Sequence, residues 1–253
     1  MNLEQKIAKL AEYINQARNI VFFGGAGVST ESGIPDFRSS SGIYNDKEYD
    51  EPPEVLLSRT YFFEQTDRFY EFYKSKMLHP GAQPNDAHKI LARFEADGKL
   101  RAVVTQNVDN LHRLAGSKNV LELHGNADRN ICLKCGRVFG VAYIISSAGT
   151  PLCDGCGGLV KPDVVLYEEQ LDERTVASAI RHISQADMLI VGGTSLAVYP
   201  AAHYISYFFN GAKSGRKSAI INKSGTSYDD MFDINIHEDG IGSVLSRAYG
   251  ASA

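Results

Sequence analysis

Phe23-Gly24-Gly25-Ala26-Gly27-Val28-Ser29-Thr30 closes the first apolar run of the chain, residues 19–23, and carries it into a glycine-rich turn. A glycine-rich turn directly after a first strand is where a dinucleotide-binding fold places its phosphate turn. The glycines let backbone amides approach a pyrophosphate, and a helix behind the turn offers its positive N-terminus. The match is incomplete. Thr30 stands where GxGxxG has its third glycine, and no acidic residue ends the second predicted strand to hold a ribose hydroxyl. By itself the octapeptide reads equally well as a phosphate cradle or as a tight structural turn.

Its surroundings favour the cradle. Short apolar runs at 19–23, 101–104, 120–123, 164–166, 188–191 and 218–221 read as buried parallel strands, and helical patterns at 85–97, 173–184 and 201–210 lie between many of them. This alternation predicts an α/β fold, a Rossmann-like doubly wound parallel sheet. In such sheets ligands bind beyond the carboxyl ends of the strands. Here those ends are polar or glycine: Thr105-Gln106-Asn107-Val108-Asp109, His124-Gly125, Gly192-Gly193-Thr194-Ser195 and Asn222-Lys223. A loop, Ser32 to Ser39, adds Asp36 and Arg38 around Phe37, suited either to a surface ion pair or to folding over a cofactor.

Two stretches interrupt the alternation. Residues 39–80 are aromatic-rich and helical in pattern, with Phe62, Phe69, Tyr70, Phe72 and Tyr73 at a spacing that predicts core packing. Residues 125–162 hold all four cysteines. Together they are expected to form a smaller zinc-binding domain from two insertions, leaving 1–38, 81–124 and 163–253 to the Rossmann-like domain. Cys132-Leu-Lys-Cys135 and Cys153-Asp-Gly-Cys156 are two CxxC knuckles, each presenting two thiolates to one face of a tetrahedron, with Gly136 and Gly157 allowing the turn. Four thiolates leave no open coordination position, so one structural zinc ion is expected. Redox pairs or plain structural thiols are the alternatives.

At 43% hydrophobic and 22% charged the chain is of ordinary globular composition, and its net charge of −4 argues against nucleic acid as a partner. The start, MNLEQKIAKLAEYINQAR, has apolar residues at helical spacing and lacks a signal peptide's apolar core; no run is long enough for a bilayer. A cytoplasmic protein with no membrane partner is expected. There is no GxSxG elbow, P-loop or HExxH motif.

The block Gly25-Ala26-Gly27-Val28-Ser29-Thr30-Glu31-Ser32-Gly33-Ile34-Pro35-Asp36-Phe37-Arg38, then Thr105 to His112, His124-Gly125, the two knuckles, Lys161 to Val165, Gly193 to Leu196, and Asn222 together resemble the sirtuins. The resemblance runs from about 19 to 239 and suggests a compact bacterial-type member. It implies an NAD-dependent protein-lysine deacylase that releases nicotinamide and 2′-O-acyl-ADP-ribose. By that resemblance Ala26, Thr30, Phe37, Arg38, Gln106, Val108, Asp109, His124, Thr194, Ser195, Asn222 and Asp239 line the NAD site. His124 is the catalytic base, Asp109 holds the nicotinamide amide and Asn107 positions the reacting ribose. Val164, Val165 and Tyr167, with Val198, would sandwich an acyl-lysine peptide as an added strand. Cys132, Cys135, Cys153 and Cys156 hold the zinc.

The chain departs from the usual pattern at Asn110, where many members have glycine, at Asn126, where serine is common, and at Tyr167-Glu168-Glu169 in place of Phe-Gly-Glu. No tyrosine between Tyr44 and Met77 has arginine three residues on, so an apolar acyl pocket, for acetyl or a longer aliphatic group, is expected. ADP-ribosyl transfer to protein, a non-catalytic NAD sensor and a Rossmann dehydrogenase are the competing readings. Intact Asn107, Asp109 and His124 speak against the sensor, and the missing ribose-binding acid against the dehydrogenase. A monomer is expected.

Overall fold

A computed structural model describes residues 1–37, 42–45, 48–211 and 215–250. The main sheet contains β1 (Ile20–Gly24), β2 (Leu100–Thr105) and β3 (Val120–Glu122). A small second sheet is made by β4 (Gly125–Cys132), β5 (Val138–Phe139) and β6 (Val160–Val164). The main sheet resumes with β7 (Met188–Gly192), β8 (Lys217–Ile221) and β9 (Ile234–Ile236). Its order is β3-β2-β1-β7-β8-β9, with every pairing parallel. The chain thus leaves β1 toward β2 and β3, then returns to the other side of β1, so the strand order reverses between β1 and β7. That crevice is the expected ligand position of a doubly wound sheet.

Alternation along β1 explains the two layers of helices. Ile20 and Phe22 join Ile7, Leu10, Ile14, Leu91, Phe94, Val244 and Leu245 in one core, under helices Leu3–Gln16, Asp86–Ala96 and Ile241–Gly250. Val21 and Phe23 point the other way, to Ala179, Ile183, Ile205 and Phe208. The first helix starts where Asn2 caps it: the side chain accepts from the amide of Gln5 and the Gln5 side chain accepts from the amide of Asn2, both at 3.0 Å.

The small sheet has the order β5-β4-β6 and is antiparallel. It shares a core with the aromatic stretch: Phe62, Phe69, Tyr70, Phe72 and Tyr73 are fully buried with Ile144 and Val160. Phe69 and Tyr73, one helical turn apart, stack at 5.5 Å.

Three expectations need correction. Residues 164–166 are not a strand of the main sheet. Val164 ends β6 and pairs antiparallel with Gly125, because a short apolar run carries no information about which sheet it joins. Residues 201–210 form a 3-10 turn, Ala201–Ile205, before one α-helical turn, Ser206–Phe209. The glycine-rich turn leads into two 3-10 turns, Ala26–Val28 and Thr30–Ser32, and not into an α-helix with a strong N-terminal dipole. The strand Ile234–Ile236 and the last helix are not foreseen at all; a three-residue strand is too short to show a period.

Candidate functional site

The glycines after β1 serve a packing purpose. The amide of Gly25 donates to the carbonyl of Gly192 at 3.1 Å, and that of Gly27 to Gly193 at 2.8 Å. A Cβ on Gly193 would lie 2.4 Å from the amide nitrogen of Val28, and its φ of +59° is itself disfavoured for a side chain. These glycines therefore let the turns after β1 and β7 touch backbone to backbone at the switch point. The amides of Gly25 and Gly27 are spent on that contact and do not face a ligand, which corrects the phosphate-cradle reading of those two groups.

Above the touching turns lies a cleft of about 1110 Å³. Ala26, Thr30 and Phe37 line it from the first segment, and Gln106, Asn107, Val108 and Asp109 from the end of β2. His124 follows β3; Thr194, Ser195 and Val198 follow β7; Asn222 follows β8 and Asp239 follows β9. Val164, Val165 and Tyr167, at the end of β6, complete the wall. Every sequence-predicted cofactor and peptide residue except Arg38 thus meets in one cavity. Arg38 lies outside the described residues.

The polar groups are tied together from behind. The buried Ser29 hydroxyl donates to Asp109 Oδ2 at 2.6 Å and accepts from Asn107 Nδ2 at 3.1 Å. The Leu111 amide donates to the other Asp109 oxygen at 2.9 Å. Burial pushes the Asp109 carboxyl above the usual range, and the Ser29 and Leu111 bonds pull it part of the way back. Ser29 is the site residue that sequence reasoning passed over. Its signal was a small hydroxyl inside an otherwise glycine and apolar turn. Gln106 Nε2 donates to Thr194 Oγ1 at 3.1 Å, linking the ends of β2 and β7.

His124 is partly buried, with Nδ1 2.9 Å from the Gln106 carbonyl oxygen. A carbonyl can only accept, so Nδ1 carries the proton and Nε2 is left as a basic lone pair. Burial lowers the imidazole pKa from its ordinary value, opposed by the Gln106 bond. The ring is neutral at pH 7 and able to take up a proton.

The unusual asparagines form a compensated pair. Asn110 has φ +64°, a left-handed backbone that glycine adopts freely and asparagine tolerates better than most other residues. Its side chain donates to Asp128 at 2.7 Å and accepts from Asn126 at 3.2 Å, while Asn126 also donates to Glu122 at 2.6 Å.

In the small sheet the four cysteine sulfurs lie within 4.8 Å of one another. Cys132 and Cys156 are 3.5 Å apart and Cys135 and Cys153 3.7 Å. A tetrahedron of thiolates at the usual zinc–sulfur distance has edges of about 3.8 Å, so the donor set fits zinc. Gly136 and Gly157 have φ of +75° and +66°, and their amides donate back to Cys132 and Cys153 at 2.9 and 2.8 Å. Among the described residues, no helix is long and apolar enough to cross a membrane.

Residues 25–200 match the model of the Sir2 family. The chain is 55% identical to an NAD-dependent protein deacetylase of Clostridium acetobutylicum, over 97% of this chain and 98% of that protein. It is 52% identical to one of Clostridium perfringens, over 97% and 99%. Among solved structures it resembles Sir2 with p53 peptide and NAD+, at TM-score 0.82 and 35% identity over 99% and 98% of the two chains. Sir2Tm bound to a propionylated peptide matches at TM-score 0.82 and 34% identity over 100% of each.

Proposed function

The chain belongs to the Sir2 family, and from that premise we propose how its cleft divides the labour of an NAD-dependent protein-lysine deacylase. The reaction builds on the one its relatives carry in their names, NAD-dependent protein deacetylation, with lysine as the deacetylated residue and NAD consumed. The observation that carries the residue roles is the His124–Gln106 bond, which holds the proton of the neutral ring on Nδ1 and leaves Nε2 as the basic nitrogen.

Bound NAD supplies a good leaving group, nicotinamide, and a ribose that accepts the acyl group. His124 Nε2 takes the proton from a ribose hydroxyl. Asp109, held by Ser29 and Leu111, accepts from the nicotinamide amide. Asn107, its amide turned to Ser29, positions the reacting ribose. Ala26, Thr30, Phe37, Gln106, Val108, Thr194, Ser195, Asn222 and Asp239 face the rest of the dinucleotide; Arg38, outside the described residues, is assigned to it by the family resemblance alone.

The substrate peptide adds as a strand beside Val164, Val165 and Tyr167, with Val198 on its other side. The apolar cleft wall, with Ile43, Leu57 and Met77 from the small region and Leu166 beside them, supports acetyl or a longer aliphatic acyl group. A relative's structure with a propionylated peptide points the same way. Cys132, Cys135, Cys153 and Cys156 would hold one zinc ion, closed to water and substrate, that fastens the small region. The same reading divides the chain into 1–38, 81–124 and 163–253 for the NAD domain and 39–80 with 125–162 for the small one. It takes the protein as a cytoplasmic monomer.

Mass spectrometry of an acetyl-lysine peptide, incubated with and without NAD, tests the reaction. One acetyl mass should be lost only with NAD, with nicotinamide and O-acetyl-ADP-ribose appearing. His124→Ala should lower turnover by about 10²- to 10⁴-fold while NAD binding and Tm stay close to wild type. A large fall in Tm would make His124 structural. Because its pKa is depressed, the acid limb of kcat/KM should lie below 6.5, the ordinary histidine value. Faster turnover of succinyl- than of acetyl-peptide would rule out the apolar acyl pocket.

A further inference from the structure

Tyr44 and Tyr167 share a hydrogen bond between their phenol hydroxyls, and both rings line the cleft. The contact joins two segments that the proposed function assigns to different substrates. Tyr167 lies on the segment that takes the peptide. Tyr44 packs against Phe37, which the proposed function assigns to NAD.

Both ends of the contact are held in place. The Tyr44 amide donates to the Phe37 carbonyl and the Ile43 amide to the Asp36 carbonyl, each at 2.9 Å. The Phe37 and Tyr44 rings meet edge to face, with centroids 5.8 Å apart and planes at 74°. Phe37 is therefore braced by Tyr44. On the other side, the Tyr167 amide donates to the Leu57 carbonyl at 3.0 Å and its carbonyl accepts from the Arg59 amide at 3.0 Å. Glu168 comes next, with φ +73°, a backbone that a side chain disfavours. Its carboxylate is fastened to Thr60, accepting from the amide at 2.9 Å and from the hydroxyl at 2.7 Å. The helical insertion thus anchors Tyr167, Tyr167 reaches Tyr44, and Tyr44 carries Phe37.

We propose that Tyr44 and Tyr167 are positioning residues for NAD, a hydroxyl-to-hydroxyl latch that fastens the Phe37 segment to the peptide-binding edge. The latch rests on the deacylase reading of the cleft. It joins cofactor and peptide sites through one contact that neither substrate makes itself. Phenylalanine at either position keeps the ring and removes the hydroxyl that makes the bond.

Steady-state kinetics of the full chain with an acetyl-lysine peptide test this. Tyr44→Phe should raise KM for NAD about three- to tenfold, the range of one lost hydrogen bond, with kcat at saturating NAD nearly unchanged; Tyr167→Phe, at the peptide edge, should raise KM for NAD by a similar factor at saturating peptide. The double variant should be no worse than the worse single one, because both substitutions remove the same contact. An unchanged KM for NAD in either variant, or effects that multiply in the double variant, overturns the latch. A wild-type protein without NAD-dependent deacylation overturns the underlying reading, and the latch with it; deacylating variants with unaltered KM overturn the latch alone.

Discussion

Every residue of β1 and β7 is buried, whereas in the small sheet Val138 of β5 keeps 61% of its surface exposed and Leu133 and Leu152, beside the cysteines, keep 50% and 53%. The main sheet is covered by helices on both faces and is held by apolar burial, which scales with area and needs no single group. The strands around the knuckles are buried only in part, and their inward residues share a core with the aromatic helices. Such a module needs a staple, and four converging thiolates are one. Where burial suffices, the strand ends are free to carry chemistry. Where it does not, the polar side chains are committed to holding the fold.

The largest expected effect separates the two regions outright. Cys135→Ala should release zinc, whose binding is worth on the order of 10 kcal/mol in structural sites. It should abolish amide-exchange protection in β4, β5 and β6 while β1 and β7 stay protected. Retained activity and protection without zinc would refute the structural assignment.

A middle-sized effect probes the main sheet. His88 and His112 are fully enclosed there, with rings 4.7 Å apart. Neither ring nitrogen of His112 and not the Nε2 of His88 has a hydrogen-bond partner among the described residues. Burial drives their pKa values down to about 4 for His88 and, with the neighbouring His88 charge adding, to about 3 for His112. Below pH 6.5 the unfolded chain takes up protons that the folded one refuses. This stability is therefore complete above 6.5 and is lost as pH falls toward 4 and 3. Denaturant titrations between pH 6.5 and 5 should show the slope of stability against pH fall in His112→Leu, by an amount that approaches about 1.4 kcal/mol per unit at the acid end. An unaltered slope would mean that His112 titrates normally in the folded state.

The smallest effect lies where the regions join. Asn110→Gly relieves a left-handed backbone and loses the bonds to Asp128 and Asn126. The two terms oppose each other, so stability should change by less than about 1 kcal/mol. A loss several times larger would show that the asparagine pair, and not backbone freedom, sets this turn.

Much of this was legible in the chain itself. The alternation of apolar runs and helical patterns determined a doubly wound sheet, because period and length are local properties. The CxxC spacing determined a thiolate site, since each knuckle is a local turn closed by its own glycine. The polar strand ends predicted where a cleft would open. Tertiary structure alone decided that the amides of Gly25 and Gly27 are consumed by the turn after β7, and that residues 160–164 join the small sheet. It alone showed Ser29 ordering Asn107 and Asp109, 78 and 80 residues away, and Tyr167 meeting Tyr44 across 123 residues. Hydrogen bonds between distant segments leave no period in the sequence; they exist only once the sheet has fixed which strand ends stand side by side.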